Sequence, residues 1–342
     1  MKAIVFHQHG APDVLKYTDA PEPEPRPNEV LVRVKACALN RLDLWVRQGL
    51  PGVAISLPHI PGSDISGEIA KIGADVTTVR VGQRVVLAPG VTCGKCSACL
   101  SGEDNHCRQF TNLGYMIDGG CAEFVRAPEV NCMPYPENLT FEQAAAIPLV
   151  FQTAWHMLVG RAELQPGEDV LVLGAGSGVG SAAIQIAKFF GARVIATAGN
   201  DAKLQKAKEL GADQVINHRT QKIRDEVRRF TGKRGVDVVF EHVGTATWEE
   251  SIASLAPSGR LVTCGATTGY DAKIDLRFLF VRQLSILGSY MGTKPELQTV
   301  MKLVAAGRLK PVVDRIFPLA EAAAAHAYLE SGGQFGKVVL KV

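Results

Sequence analysis

Four cysteines crowd into Thr92-Cys-Gly-Lys-Cys-Ser-Ala-Cys-Leu-Ser-Gly-Glu-Asp-Asn-His-Cys107, at Cys93, Cys96, Cys99 and Cys107. Four soft thiolates at this spacing complete a tetrahedral zinc site and leave no coordination position open for a substrate. The count also suits an iron–sulfur cluster, which spacing alone does not exclude, although nothing else in the chain points to electron transfer. The expectation is therefore one structural zinc per chain. His106 is superfluous as a ligand once the cysteines are counted, and Lys95 offsets part of the thiolate charge.

A second chemical signal is the run Val170-Leu-Val-Leu-Gly-Ala-Gly-Ser-Gly-Val-Gly180, with an apolar strand pattern before it and a helical pattern after it. Glycines in such a turn permit a tight bend and close approach of the backbone to a pyrophosphate, while the helix N-terminus offers aligned amide donors. Gly174, Gly176, Ser177, Gly178, Val179 and Gly180 are thus expected to hold a dinucleotide. The next strand, Val194-Ile-Ala-Thr-Ala198, leads into Gly199 and Asn200 with no acidic residue to receive the ribose hydroxyls. Lys203, His218 and Arg219 follow, so NADP is expected over NAD, which stays open. Asp201 is the counterweight, and reads as a first-turn helix residue. Ligands bind beyond the carboxyl ends of parallel strands, which adds His242, Gly244 and Gly265 to the cofactor set.

These groups need a scaffold. Residues 1–150 carry short alternating β-runs broken by Gly and Pro, the pattern of a distorted antiparallel barrel or sandwich. Residues 151–283 alternate strand and helix, with strands apolar on both faces, which predicts a doubly wound parallel sheet. The tail, 284–342, is expected to complete the first domain at least in part. The fold class is α/β, a Rossmann domain plus a mainly β domain.

With 342 residues, 46% hydrophobic and 21% charged, two domains with real cores are expected. The formal charge of +3 is spread without basic blocks, which argues against nucleic acid. No apolar run reaches the length of a membrane span, and the start reads as a strand rather than a signal segment. Four cysteines at metal-ligand spacing favour a reduced, cytoplasmic setting. Cys37, Cys121, Cys132 and Cys264 read as core thiols.

Taken together, Lys35-Ala-Cys-Ala-Leu-Asn40-Arg-Leu-Asp43, Pro61-Gly-Ser-Asp64, the cysteine lobe, the glycine turn, Gly211-Ala-Asp213 and Gly336-Lys-Val-Val-Leu340 resemble the medium-chain dehydrogenase/reductase superfamily over essentially the whole chain. The resemblance implies a GroES-like domain from residues 1–150 plus the tail, an inserted cofactor domain, substrate in the cleft, and a homodimer or homotetramer. The zinc alcohol dehydrogenases of that group place a catalytic zinc on ligands whose positions here carry Asn40, Ser63 with Asp64, and Leu149 or Val150. Leu42 stands where a hydroxyl relay is expected, and Trp45 replaces a histidine. An amide, a hydroxyl and a leucine are poor zinc ligands.

Asn40 and Asp43 instead resemble the pair in the group's quinone oxidoreductases, which lack catalytic zinc and usually lack the cysteine lobe. The implied activity is NADPH-dependent hydride transfer to a quinone, enone or aldehyde. Asn40 and Thr153 would stand near the nicotinamide, with Asp43 orienting Asn40 or a neighbouring turn, and Lys337 resembles a contact to cofactor phosphate. His59 is either an acid or a structural residue; Trp45 and Phe151 either line a pocket or pack the core. Two alternatives remain, a zinc-type alcohol dehydrogenase using Asp64 and His59, and a non-enzymatic NADPH-binding protein akin to lens crystallins.

Overall fold

The computed structural model describes residues 1–342, which divide into two units, one of Met1–Leu149 with Thr293–Val342 and one of Val150–Gly292.

In the second unit, six strands rich in β-branched residues pair in parallel. Their order across the sheet is Gln214–Asn217, Arg193–Ala198, Asp169–Val172, Val236–Glu241, Leu255–Thr263 and Ser285–Gly288. The central strands are fully buried because helices cover both faces, and Leu171, Leu173, Ile195, Val239 and Leu261 form the core between them. Strand order reverses between Asp169–Val172 and Val236–Glu241, where an open parallel sheet leaves a crevice for ligands. The strand Ser285–Gly288 extends this sheet, so the second unit runs past the boundary expected at residue 283. Its exposed, short apolar run is hard to assign from pattern alone.

The first unit is built on a seven-stranded sheet around the long strand Glu29–Leu39. Residues Glu29 to Arg33 of that strand pair with Phe124–Pro128, and Ala36 to Leu39 pair with the terminal strand Lys337–Lys341. Asp64–Ile72 lies along its other edge. All these pairs are antiparallel; Val313–Pro318 alone runs parallel to its neighbour, the terminal strand. The inward residues Val30, Val32, Val34, Cys37, Ile65, Val85, Val338 and Leu340 make one core. The returning helix Lys294–Ala305 is capped by Thr293, whose hydroxyl accepts from Glu296 N while the Glu296 carboxylate accepts from Thr293 N. No helix is long and apolar enough to cross a membrane.

Candidate functional site

The cysteine lobe is local. A short helix, Ser97–Leu100, and a single turn, Asp104–His106, fold Cys93, Cys96, Cys99 and Cys107 together so that their sulfurs lie within 4.8 Å of one another. The separations Cys93–Cys99 and Cys96–Cys99 are 3.9 and 3.5 Å, near the roughly 3.8 Å that tetrahedral Zn–S bonds of about 2.3 Å impose. Cys93 N and Gln109 N point at Cys107 Sγ from 3.5 and 3.4 Å, as donors to a thiolate. Backbone N–H groups of Lys95 and Cys96 hold the Cys93 thiol down at about 6. The four residues fit a structural zinc, whose coordination they would saturate. Lys294 fastens the lobe to the returning helix, through Nζ to Asp104 Oδ2 at 2.8 Å and to Thr92 Oγ1 at 3.1 Å.

At the crevice of the parallel sheet, the glycine turn follows Asp169–Val172 and enters the helix Gly178–Phe189. Gly174 has φ of +58°, and a Cβ on Gly180 would lie 2.4 Å from Gly174 O, so both positions demand glycine. Ser177 caps the helix by accepting from Gly180 N at 2.9 Å. His242 braces this turn from the neighbouring strand end, with Nε2 at 2.9 Å from Leu173 O and 3.3 Å from Ser177 Oγ. Gly244 and Gly265 lie in the same crevice, the latter with an ideal Cβ 3.2 Å from His242 O. A backbone cradle with a twelve-residue helix behind it fits a dinucleotide pyrophosphate.

Sequence reading missed the residue that shapes the loop after Val236–Glu241. The fully buried Glu241 carboxylate accepts from Val243 N at 2.5 Å, Gly244 N at 3.1 Å, and the Thr247 and Ser251 hydroxyls, each at 2.8 Å. A glutamate ending a strand carries no sequence signal that separates this role from a solvated one.

At the end of Arg193–Ala198, the register sets Ala198 beside Asn217 and brings the next two residues to Gly199. An ideal Cβ on Gly199 would sit 3.0 Å from Arg219 Nε and 3.2 Å from His218 Nε2. Burial, then the charges of Arg219 and Lys203, push His218 below its ordinary value. Asn200 spends its side-chain oxygen on Lys203 N at 2.9 Å, and Asp201 accepts from Asn217 Nδ2 at 3.2 Å. The corner is basic, as a phosphate would require.

The third grouping lies in the first unit, where three strand ends meet. Asn40 follows Glu29–Leu39, Asp64 opens Asp64–Ile72, and Lys337 opens Lys337–Lys341. Register pairs Ala38 with Asp64 and Leu39 with Val338, which sets the three residues side by side. Lys337 Nζ donates to Asp64 Oδ2 at 2.8 Å and to Asn40 Oδ1, and Asn40 Nδ2 donates to the same Asp64 oxygen at 2.9 Å. The other Asp64 oxygen accepts from Leu149 N at 2.7 Å. Asp64, Lys337 and Asn40 are 0, 3 and 6% exposed. Lys337, expected from sequence as a cofactor-phosphate contact, has its ammonium on the buried Asp64 carboxylate.

Asp43 locks this corner from below. Its Oδ2 accepts from Asn40 N at 2.6 Å and its Oδ1 from Gly62 N at 3.1 Å. Burial raises the Asp43 carboxyl to about 6, against the opposing pull of Asn40 N–H, the Lys337 charge and Gly62 N–H, with the Asp64 charge adding to the rise. Ser63 is buried with no partner for its hydroxyl, and Leu149 offers only backbone.

His59 is not in this network: it is buried edge-on against Phe6 with Nδ1 3.5 Å from Asp118, and burial lowers its value. Thr153 belongs to the second unit, in the helix Pro148–Trp155, where its buried hydroxyl has no protein partner. Phe151 is fully buried, whereas Trp45 is half-buried.

Known proteins share this plan. Residues 26–137 match the model of the alcohol dehydrogenase GroES-like domain, and residues 178–306 that of the zinc-binding dehydrogenases. Human quinone oxidoreductase is 31% identical over 99% of this chain and 97% of its own. An alcohol dehydrogenase of Geobacillus stearothermophilus is 35% identical with both chains fully covered. The crystal structure of an NAD-dependent alcohol dehydrogenase superposes with a TM-score of 0.97 at 49% identity, covering 100% of each chain.

Proposed function

The chain belongs to the medium-chain dehydrogenase/reductase superfamily, in a quinone-oxidoreductase-like branch with a four-cysteine site, and is an NAD(P)H-dependent oxidoreductase; on that premise we propose that it reduces a small quinone or α,β-unsaturated carbonyl without a catalytic zinc, NADPH being preferred. The observation that carries this reading is the Lys337 ammonium seated on Asp64 and Asn40. A divalent ion on Asp64 would lie about 4 Å from that ammonium, a repulsion on the order of 8 kcal/mol at an effective dielectric of about 20. The residues at this corner do not fit a second metal. Conjugated acceptors are electron-poor already, so hydrogen-bond polarisation suffices for them.

Bound NADPH supplies the hydride. The glycine turn holds its pyrophosphate, while Arg219, His218 and Lys203 take the 2′-phosphate. Thr153 is assigned to the nicotinamide, Asn40 to the substrate, and Asp43 to the positioning of Asn40 through its backbone N–H. Thiolate ligands require reduced cysteines, which supports a cytoplasmic setting.

The exposed edge strand Ser285–Gly288, with Leu276, Phe280 and Val281 exposed beside it, supports a homodimer formed by pairing with a second copy. A homotetramer would join two such pairs. Light scattering tests this, with Ile286→Pro expected to give monomers.

A second reading, a zinc-type NAD-dependent alcohol dehydrogenase, is favoured by the 49% identity to a solved enzyme of that activity, and the alcohol dehydrogenases among the relatives lean the same way. Stopped-flow oxidation of NADPH and NADH by 1,4-naphthoquinone, 2-cyclohexen-1-one and benzaldehyde, with benzyl alcohol oxidation in reverse and zinc stoichiometry alongside, separates the two. One chelation-insensitive zinc and fast conjugated acceptors support the first. Two zincs with chelation-sensitive alcohol turnover establish the second, and a strong NADH preference overturns the cofactor assignment.

A further inference from the structure

We infer that Lys337, with Asn40, binds the carbonyl oxygen of the substrate and takes the electrostatic place that a metal ion holds in zinc-dependent relatives; this rests on the carbonyl-reductase reading above. An ammonium has three N–H donors and a primary amide two. Lys337 commits two of its three, to Asp64 Oδ2 and Asn40 Oδ1, and Asn40 commits one of its two, to Asp64 Oδ2. One donor on each residue has no protein partner. Both groups are buried, on neighbouring strand ends, and hydrogen-bonded to each other, which keeps the two uncommitted donors close together.

The rest of the network makes these donors rigid. Asp64 receives three hydrogen bonds on its two oxygens, and Asp43 holds Asn40 N at 2.6 Å. A buried ion pair by itself is a poor stabiliser, since an apolar pair of similar volume often serves the fold as well or better. Preorganised donors in a site shielded from water are instead what a developing oxyanion needs. Ser63, directly before Asp64, is likewise buried with an unpaired hydroxyl.

In the reaction this site would serve, an enone gains hydride at its β carbon and its C=C electron pair shifts toward the carbonyl. Negative charge settles on the oxygen held by Lys337 and Asn40, and solvent later delivers the proton to carbon. The reduced nicotinamide is the species oxidised, so electrons and atoms balance.

The test uses the zinc-loaded full chain. Lys337→Met is assayed for NADPH oxidation by 2-cyclohexen-1-one, and 4-nitrophenolate, a non-reacting oxyanion whose absorbance reports the hydrogen bonds it accepts, is titrated in the presence of NADP⁺. Expected are a kcat loss of about 100- to 1000-fold, NADPH affinity within about twofold of wild type, phenolate binding weakened by at least about tenfold, and partial recovery of both in Lys337→Arg. Because Lys337→Met strands a buried carboxylate, the uncharged double variant Lys337→Met with Asp64→Asn is measured too, and should show the same losses while folded. A folded variant of either kind with kcat within about threefold of wild type and unchanged phenolate binding overturns the inference. Failure of the functional reading would appear in the wild type instead, as no NADPH oxidation by any acceptor, and the phenolate titration would then decide the role of Lys337 alone.

Discussion

The cysteine lobe and the Asn40–Asp64–Lys337 corner are two cation sites in one unit, built on opposite plans. The lobe gathers four anionic ligands from a single loop and must recruit its positive charge from outside. The corner has one carboxylate with both oxygens engaged and carries its own positive charge on Lys337. A thiolate set without a cation is electrostatically unfinished, whereas the corner is neutralised by its own chain. The presence of a metal site therefore says little here about where the chemistry takes place.

Removal of the lobe's metal is expected to have the largest structural effect. Structural zinc contributes about 10 kcal/mol or more to small metal-folded modules, so Cys96→Ser should reduce zinc from about one per chain to none and abolish hydrogen-exchange protection across 93–107. Turnover should stay within about threefold immediately after metal loss; activity that declines in step with zinc would break the comparison. Asp64→Asn should come next. It leaves a buried ammonium unpaired, at a cost of about 3–5 kcal/mol in urea denaturation, most of which the added Lys337→Met should restore. A cost under about 1 kcal/mol would mean that the ion pair is not a structural unit.

The buried Asp43 sharpens the contrast through pH. Its folded value of about 6 lies above the ordinary 3.8, so the folded protein keeps this proton longer than the unfolded chain does. Its contribution is thus greatest below about pH 4 and falls as pH rises toward 6, by up to about 3 kcal/mol. The difference in stability between wild type and Asp43→Asn, followed by urea denaturation from pH 4 to 7, should trace that slope, and a flat difference would refute it.

The smallest predicted effect lies in the other unit, where Arg219→Ala should weaken NADPH binding by about tenfold with NADH unchanged, read by fluorescence titration. Burial keeps His218 low, and a bound phosphate would favour its protonated form, so NADPH affinity should also rise as pH falls from 8 to 6. Equal loss of both cofactors in the variant would move the phosphate site elsewhere.

How much of this could be read from the residues depends on range. The cysteine lobe and the glycine turn announce themselves because their members lie within a few residues of each other, and local chain geometry alone brings them together. The parallel sheet was legible from its continuous apolar strands, except at Ser285–Gly288, whose exposed edge position leaves no burial pattern to read. Glu241 and His242 differ in the same way: the histidine follows from the rule about strand ends, while the buried glutamate depends on four donors that only the folded loop supplies.

The sequence by itself determined the superfamily, the metal lobe and the dinucleotide turn, and showed that Asn40, Ser63 and Leu149 are poor ligands. It did not determine that Lys337 meets Asp64 and Asn40. Lys337 is 273 residues from Asp64 and 297 from Asn40 along the chain, so no spacing rule connects them. The tertiary structure decided that contact, because the register of two antiparallel strand pairs delivers three strand ends to one buried corner, where an ammonium is held only if a carboxylate meets it.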